Sequence, residues 1–237
     1  MAKTLHPNQI HAISHGTGPM LVLAGPGSGK TTVIIQRIRR LTEKMGVSPY
    51  RILVITFTKA AAEQMKTRYA ALQGKTGVMF GTFHSIFFRI LRQACGYSLE
   101  QVLSEDERRN TMQKLVTEAR ISVQDQEEYI QQFFSQYSLM KNQLQDVSDF
   151  MPEGLPKDEF VALTKKFDGW KRRNEKIDFD DMLTECYEVL SQDEKTRKMW
   201  QDCFDYILVA EFQDVNSAQY ACLQLLAAPK NNLIVVG

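Results

Sequence analysis

The sequence predicts an α/β fold, a parallel sheet with both faces covered and a helical segment inserted between its strands. Short continuous apolar runs at residues 20–24, 51–56, 78–82, 206–210 and 233–237 have the length and composition of buried parallel strands. Helical stretches alternate with them, as crossover connections require. Between residues 104 and 192 strand-like runs vanish, glutamine becomes frequent and apolar residues recur at helical spacing.

Element by element, a first helix is expected over residues 5–14, where Pro7 suits a first turn. Gly16-Thr17-Gly18-Pro19 is a loop. The strand at 20–24 leads through a glycine-rich turn into a helix over 30–44. The strand at 51–56 leads into an alanine-rich helix over 60–72 that is free of glycine and proline. The strand at 78–82 passes to a helix over 83–92, on which Phe83, Phe87, Phe88 and Leu91 share a core-facing side. Within the helical segment, Met151-Pro152-Glu153-Gly154-Leu155-Pro156 separates two halves. Strand 206–210, helix 218–227 and strand 233–237 then resume the sheet. The expected organisation is one domain from residues 1–92 and 192–237, with residues 93–191 inserted as a helical subdomain.

Of the 237 residues 43% are hydrophobic, enough for one large domain or two small ones. No run of about 18 apolar residues exists, which argues against a membrane span, and no secretory leader is expected from the opening residues. Cys95, Cys186, Cys203 and Cys222 are widely spaced with no C-x-x-C pair. That excludes a disulfide scaffold or a zinc site and fits a reducing cytoplasm. The net charge of +1 hides an asymmetry. Residues 30–92 carry twelve Lys/Arg against Glu43 and Glu63, and residues 93–237 are acidic in balance. The basic stretch suits a polyanion partner, or simply solvates helix faces. Because the last strand ends at Gly237, and active residues of such sheets lie beyond strand carboxyl ends, the chain is expected to be an N-terminal piece of a longer protein.

Gly25-Pro26-Gly27-Ser28-Gly29-Lys30-Thr31 matches G-x-x-x-x-G-K-[ST], with a strand before it and a helix after. Its glycines let backbone N–H groups close around phosphate oxygens, and the helix N-terminus adds partial positive charge. Lys30 is placed to reach the outer phosphates, and the Thr31 hydroxyl to ligate magnesium. The acidic partner of such a loop lies at a later strand end, at Ala210-Glu211-Phe212-Gln213-Asp214. Glu211 is placed as general base. Ala210 occupies the metal-holding position and offers no oxygen.

These residues, in this order, resemble the N-terminal part of superfamily 1 DNA helicases of the UvrD/Rep/PcrA type. Leu5-His6-Pro7-Asn8-Gln9 resembles the family's Q motif, and Gly25 to Thr32 its motif I, with Thr32 where arginine is usual. Thr56-Phe57-Thr58-Lys59-Ala60-Ala61-Ala62-Glu63 resembles motif Ia, with Lys59-Ala60 in place of Asn-Lys. Gly81-Thr82-Phe83-His84-Ser85 resembles motif Ib, and Ile177-Asp178-Phe179-Asp180-Asp181-Met182-Leu183 the segment upstream of motif II. Motif II reads Asp-Glu-Phe-Gln-Asp in the family, so Ala210 replaces its magnesium aspartate.

The resemblance implies a RecA-like domain (1A) with a helical insertion (1B), the second motor domain being missing. It implies ATP and Mg²⁺ as cofactors. Gln9 is then the adenine reader, Gly25, Pro26, Gly27, Ser28, Gly29, Lys30, Thr31, Thr32 and Gln213 contact the nucleotide, and Glu211 and Lys30 are catalytic. Thr56, Phe57, Thr58, Lys59, Thr82 and His84 would hold single-stranded DNA, Phe57 by stacking and the others through phosphates. The parent is expected to be a cytoplasmic 3′-to-5′ DNA helicase acting in DNA repair on single strands and their junctions with duplex. The piece itself is expected to hydrolyse little ATP. The helicase part of a recombination nuclease-helicase and a degenerate DNA-binding module stay open as alternatives, and oligomeric state is not legible. Outside the motifs, Lys171-Arg172-Arg173, with Trp170 and Lys176, is expected on a solvated helix face, with contact to duplex DNA as the alternative. Asp180 and Asp181 are expected to be structural or capping residues.

Overall fold

The computed structural model describes residues 5–74 and 77–237. Its sheet has five parallel strands, β1 (Met20–Val22), β2 (Ile52–Thr56), β3 (Met79–Thr82), β4 (Tyr206–Ala210) and β5 (Leu233–Val236), in the order β1-β5-β4-β2-β3. Every residue of β2, β4 and β5 is buried, which is why they read as unbroken apolar runs rather than alternating ones. The register pairs Val22 with Val236, Val236 with Ala210, and Thr56 with Thr82. All five carboxyl ends therefore open on one edge of the sheet, where ligands gather in folds of this kind.

Helices α1 (Pro7–Ser14), α2 (Lys30–Glu43), α3 (Lys59–Gln73) and α4 (Phe83–Cys95) follow the N-terminal segment and the first three strands. Ile34, Ile38 and Leu41 of α2 and Met65 and Tyr69 of α3 pack with Ile52, Val54, Leu208 and Ile234 of the strands in one apolar cluster. β1 is two residues shorter than the apolar run suggests, because the chain turns toward Gly25. Its pairing nevertheless continues, with Ala24 N–H donating to Gly237 O at 2.7 Å and Gly237 N–H to Val22 O at 3.0 Å. Arg51, expected in β2, lies in a single 3-10 turn, Pro49–Arg51. Its guanidinium pairs there with Asp205, just before β4, one bond being Nη2 to Oδ1 at 2.7 Å.

The chain divides into two compact units, one of Met1–Ile86, Leu190–Val215 and Tyr220–Gly237, the other of Phe87–Val189 and Asn216–Gln219. The first break lies inside α4. The second unit contains α5 (Glu105–Glu118), α6 (Gln126–Asn142), α7 (Lys157–Arg173) and most of α8 (Phe179–Gln192). Its core is aromatic, with Phe133, Phe160 and Phe167 fully buried. The proline-containing break falls between α6 and α7. A helix not foreseen, α9 (Glu194–Cys203), belongs to the first unit, followed by α10 (Ser217–Ala227) after β4. Its start was legible. Asp193 is its N-cap, with Oδ1 accepting from the N–H groups of Lys195 and Thr196.

One expectation is corrected outright. Lys171 is not on a solvated face but only 3% exposed, with Nζ 2.6 Å from Asp181, 3.0 Å from Asp178 and 2.7 Å from the Tyr137 hydroxyl. A buried ammonium persists only with such partners. Asp178 and Asp181 also cap each other, Asp181 N–H donating to Asp178 Oδ1 at 2.9 Å and Asp178 N–H to Asp181 Oδ2 at 3.0 Å. Asp180 accepts from Arg108 and Ser138 at 2.8 and 2.7 Å. The three aspartates are thus capping and tethering groups at the N-terminus of α8.

Candidate functional site

The glycine-rich turn leaves β1 and enters α2 through Gly27 and Gly29, which have φ of 74° and 90°. Side chains rarely adopt that conformation, so the turn needs glycine there. A Cβ on Gly29 would also lie 2.8 Å from Gln9 Nε2. No side chain caps α2, whose N-cap is Gly29 itself. The first N–H groups of the helix, at Lys30, Thr31 and Thr32, accordingly have no acceptor within it and face the strand-end edge with the positive end of the helix dipole. Pro26 and Ser28 are exposed beside them. A cavity of about 450 Å³ adjoins the turn, lined by Gln9, Ala24, Gly25, Ser28 and Lys30 among others. That is a place and a lining suited to a nucleoside phosphate.

Lys30 Nζ donates to Glu211 Oε2 at 2.7 Å, and Gln213 Nε2 donates to the same oxygen at 2.8 Å. The lysine bond, and then the glutamine bond, hold the Glu211 carboxyl below the ordinary glutamate range. Glu211 follows β4 in a left-handed conformation, φ 55° and ψ 47°, a cost that swings its carboxylate from the strand axis toward the turn. Ala210, one residue earlier, is 3% exposed and packs into the apolar cluster of the sheet. Thr31 and Thr32 bring hydroxyls to the head of α2, and Ala210 adds no oxygen. The residues present fit phosphate well and hold only part of a magnesium shell.

Gln9 sits with both halves of its amide engaged. Nε2 donates to Ser28 O in the turn at 2.7 Å, and Oε1 accepts from His6 N–H at 2.9 Å. The His6 ring completes this capping box by accepting from Asn8 N–H at 3.2 Å. The sequence reading passed over His6, although its spacing of three residues from Gln9 is the signal of such a box.

Along the same edge, Phe57 is 50% exposed immediately beyond β2, so it is not a core residue. Thr58 is the N-cap of α3, its hydroxyl accepting from Ala61 N–H at 3.2 Å, and Lys59 is exposed at the first turn. Thr56 is buried, and its hydroxyl donates to Thr58 O at 2.9 Å. It therefore shapes the turn and offers no free hydroxyl. Thr82 is tied to Ser85, with Thr82 N–H donating to Ser85 Oγ at 2.8 Å, and His84 is half-buried in the first turn of α4.

Residues 5–237 match the UvrD/REP helicase N-terminal domain. The chain belongs to that family. Over 98% of its length it is 35% identical to YjcD of Bacillus subtilis (strain 168). Over its whole length it is 35% identical to the ATP-dependent DNA helicase PcrA of Staphylococcus epidermidis, and over 98% it is 34% identical to PcrA of Staphylococcus aureus. It spans about a third of the length of these curated relatives. As a UvrD/REP helicase N-terminal domain, it has the parallel five-stranded sheet of a RecA-like fold. Among the described residues no helix is long and apolar enough to cross a membrane, and no three His, Cys, Asp or Glu side chains gather as a metal site.

Proposed function

We propose that this chain is the nucleotide-binding part of an ATP-dependent DNA helicase, a motor that couples ATP hydrolysis to 3′-to-5′ movement along single-stranded DNA. The observation that carries the reading is the convergence of Lys30, Glu211 and an uncapped helix N-terminus at the carboxyl edge of one sheet. In this reading residues 1–92 and 192–237 form domain 1A and residues 93–191 form domain 1B. The parent works in the cytoplasm, in DNA repair, at single strands and their junctions with duplex.

Each side chain then has a task. Lys30 moves from Glu211 to the outer phosphates when ATP enters, and the N–H groups of residues 27–32 hold the remaining phosphate oxygens. Gln9 exchanges its bond to Ser28 O for the adenine edge. Glu211, released by Lys30, orients and deprotonates the attacking water, with Gln213 fixing its carboxylate. Phe57 stacks on a base while Thr58, Lys59, Thr82 and His84 line the strand's path, Thr56 supporting Thr58 from beneath. Magnesium, when bound, would neutralise charge between the outer phosphates, and Thr31 would hold it. The chain alone is a poor ATPase on this account, because arginine fingers from a second motor domain contribute about 10³–10⁵ in rate.

Ala210 favours a second reading, a DNA-binding module that no longer hydrolyses ATP. Calorimetry of ATP binding with and without Mg²⁺, on this chain and on Ala210→Asp, separates the two. Magnesium-enhanced binding gained by Ala210→Asp supports a motor cleft lacking one ligand. Absence of ATP binding in both forms overturns the motor reading for this chain and leaves the DNA-binding module.

A further inference from the structure

Helix α1 presents Gln9 to the nucleotide cavity, yet little in α1 explains why it stays in place. It has eight residues, of which Ala12 alone is buried, and Ile10 is 52% exposed. An isolated helix of this length is not stable in water. Its placement must come from contacts made by other elements.

The strongest of these is Arg37 of α2. Its side chain is 1% exposed, among the most buried in the protein. Nη1 donates to Ile13 O at 3.0 Å and Nη2 to Gly16 O at 2.6 Å. The carbonyls at the C-terminal end of a helix lack intrahelical donors and carry its partial negative charge, so a guanidinium there satisfies both. The planar fork places a separate nitrogen on each carbonyl in a fixed geometry, whereas an ammonium would have to serve both from one nitrogen. The guanidinium also lies over the Tyr206 ring of β4, 5.9 Å from its centroid, and its Nε is buried without a partner. Arg37 lies seven residues after Lys30, two helical turns along the same α2 that begins at the phosphate turn. One rigid helix therefore carries the phosphate ligands at its start and the anchor of α1 two turns on.

We propose that Arg37 is a positioning residue for base selectivity: it moors α1 to the phosphate-binding helix, so that Gln9 stands at a fixed distance from Lys30. α1 is held at two points. Gln9 Nε2 on Ser28 O is the front mooring, which adenine must displace. Arg37 on Ile13 O and Gly16 O is the rear mooring, which remains when the front one is released. Without the rear mooring, releasing Gln9 from Ser28 would free the whole helix, and adenine recognition would bear the cost of ordering it. Phosphate binding, which uses the turn and α2, does not depend on α1 in this way. This inference rests on the reading of Gln9 as the adenine reader.

The test compares ATP, GTP and inorganic tripolyphosphate by calorimetry on the 237-residue chain, on Arg37→Met, on Gln9→Ala and on the double variant, with hydrogen exchange of the α1 amides alongside. Arg37→Met is expected to lower the ATP-to-GTP affinity ratio by about tenfold or more, with tripolyphosphate affinity retained and α1 amides exchanging faster by a similar factor. The double variant should lose no more selectivity than either single one. Arg37→Lys, which keeps the buried charge but not the guanidinium fork, should fall between, and it carries the comparison if Arg37→Met does not fold. Retained base selectivity in Arg37→Met overturns the proposal, even if α1 loosens. A wild-type chain with no preference for ATP over GTP overturns the reading of Gln9 instead.

Discussion

Lys30 Nζ and Glu211 Oε2 stand 2.7 Å apart although 181 residues separate them in the chain. The register of β1 through β5 to β4 brings their loops to the same edge of the sheet. The pair occupies the place where phosphate would be held, and Gln213 adds a second bond to the same Glu211 oxygen at 2.8 Å. Lys30 and Glu211 are therefore partners in the ligand-free chain, and under the proposed function a polyphosphate has to compete with the carboxylate for Lys30.

This pairing predicts a titration. Glu211 is depressed first by Lys30 and then by Gln213, so any stability the bonds contribute is fully present above the ordinary glutamate pKa and is lost as pH falls through the lower folded value. The pair thus stays intact at neutral pH and is released by ligand rather than by protons. Lys30→Met should raise the Glu211 pKa toward its ordinary value, and Gln213→Ala should raise it less. Carboxyl ¹³C NMR on the labelled chain reads both shifts, and an unmoved Glu211 in Lys30→Met would contradict the geometry.

Phe57 lends itself to a cleaner separation of binding from folding. Its ring is 50% exposed, so Phe57→Ala should change folding stability by no more than about 0.5 kcal/mol. If the ring stacks on a base, affinity for single-stranded DNA should fall by about 1–3 kcal/mol. Fluorescence anisotropy with a labelled oligothymidylate measures this. Unchanged affinity would remove Phe57 from the proposed strand path.

The sheet and the phosphate turn were legible because their determinants are local. A wholly buried parallel strand must be an apolar run, as at 206–210, and a turn with positive φ at Gly27 and Gly29 must be glycine-rich. What escaped the sequence depends on partners distant in the chain. Lys171 reads as one of three consecutive cations, and only the fold brings Tyr137 of α6 and Asp178 and Asp181 at the start of α8 around it. Arg37 likewise looks like one of several arginines in an amphipathic helix until the carbonyls of Ile13 and Gly16 are placed beside it. Thr56 was misleading for a related reason. It lies in the segment that resembles motif Ia, but it ends a strand buried on both faces and its hydroxyl donates to Thr58 O.

The cluster around Lys171 carries the last prediction. Asp168, Asp178, Asp180 and Asp181 face Lys141, Lys171 and Arg108, with the Tyr137 hydroxyl among them. Burial works against the Lys171 charge, but the surrounding carboxylates outweigh it and raise its pKa. Asp181 keeps its charge, since it accepts from Lys171, Lys141 and Asp178 N–H. Asp178 takes up a proton, pushed up to about 6 chiefly by burial and then by the adjacent Asp181 charge, and burial also raises the nearby Glu185. A folded-state pKa raised above the unfolded value means that the stabilisation from proton binding is complete below about pH 4 and is lost as pH rises through about 6. Asp178→Asn cannot titrate and escapes this loss. Its stability relative to the wild type should therefore improve as pH rises from about 4 to about 7.5. The two tryptophans permit the measurement, since Trp170 lies in the helical unit and Trp200 in the sheet unit. Urea unfolding followed by Trp170 fluorescence in a Trp200→Phe background reports the helical unit alone. A difference between the two proteins that is flat across this pH range would show that Asp178 holds no proton. Lys171→Met should behave oppositely, costing about 3–5 kcal/mol at neutral pH by leaving buried carboxylates without their cation, and recovering part of that loss as acid neutralises them.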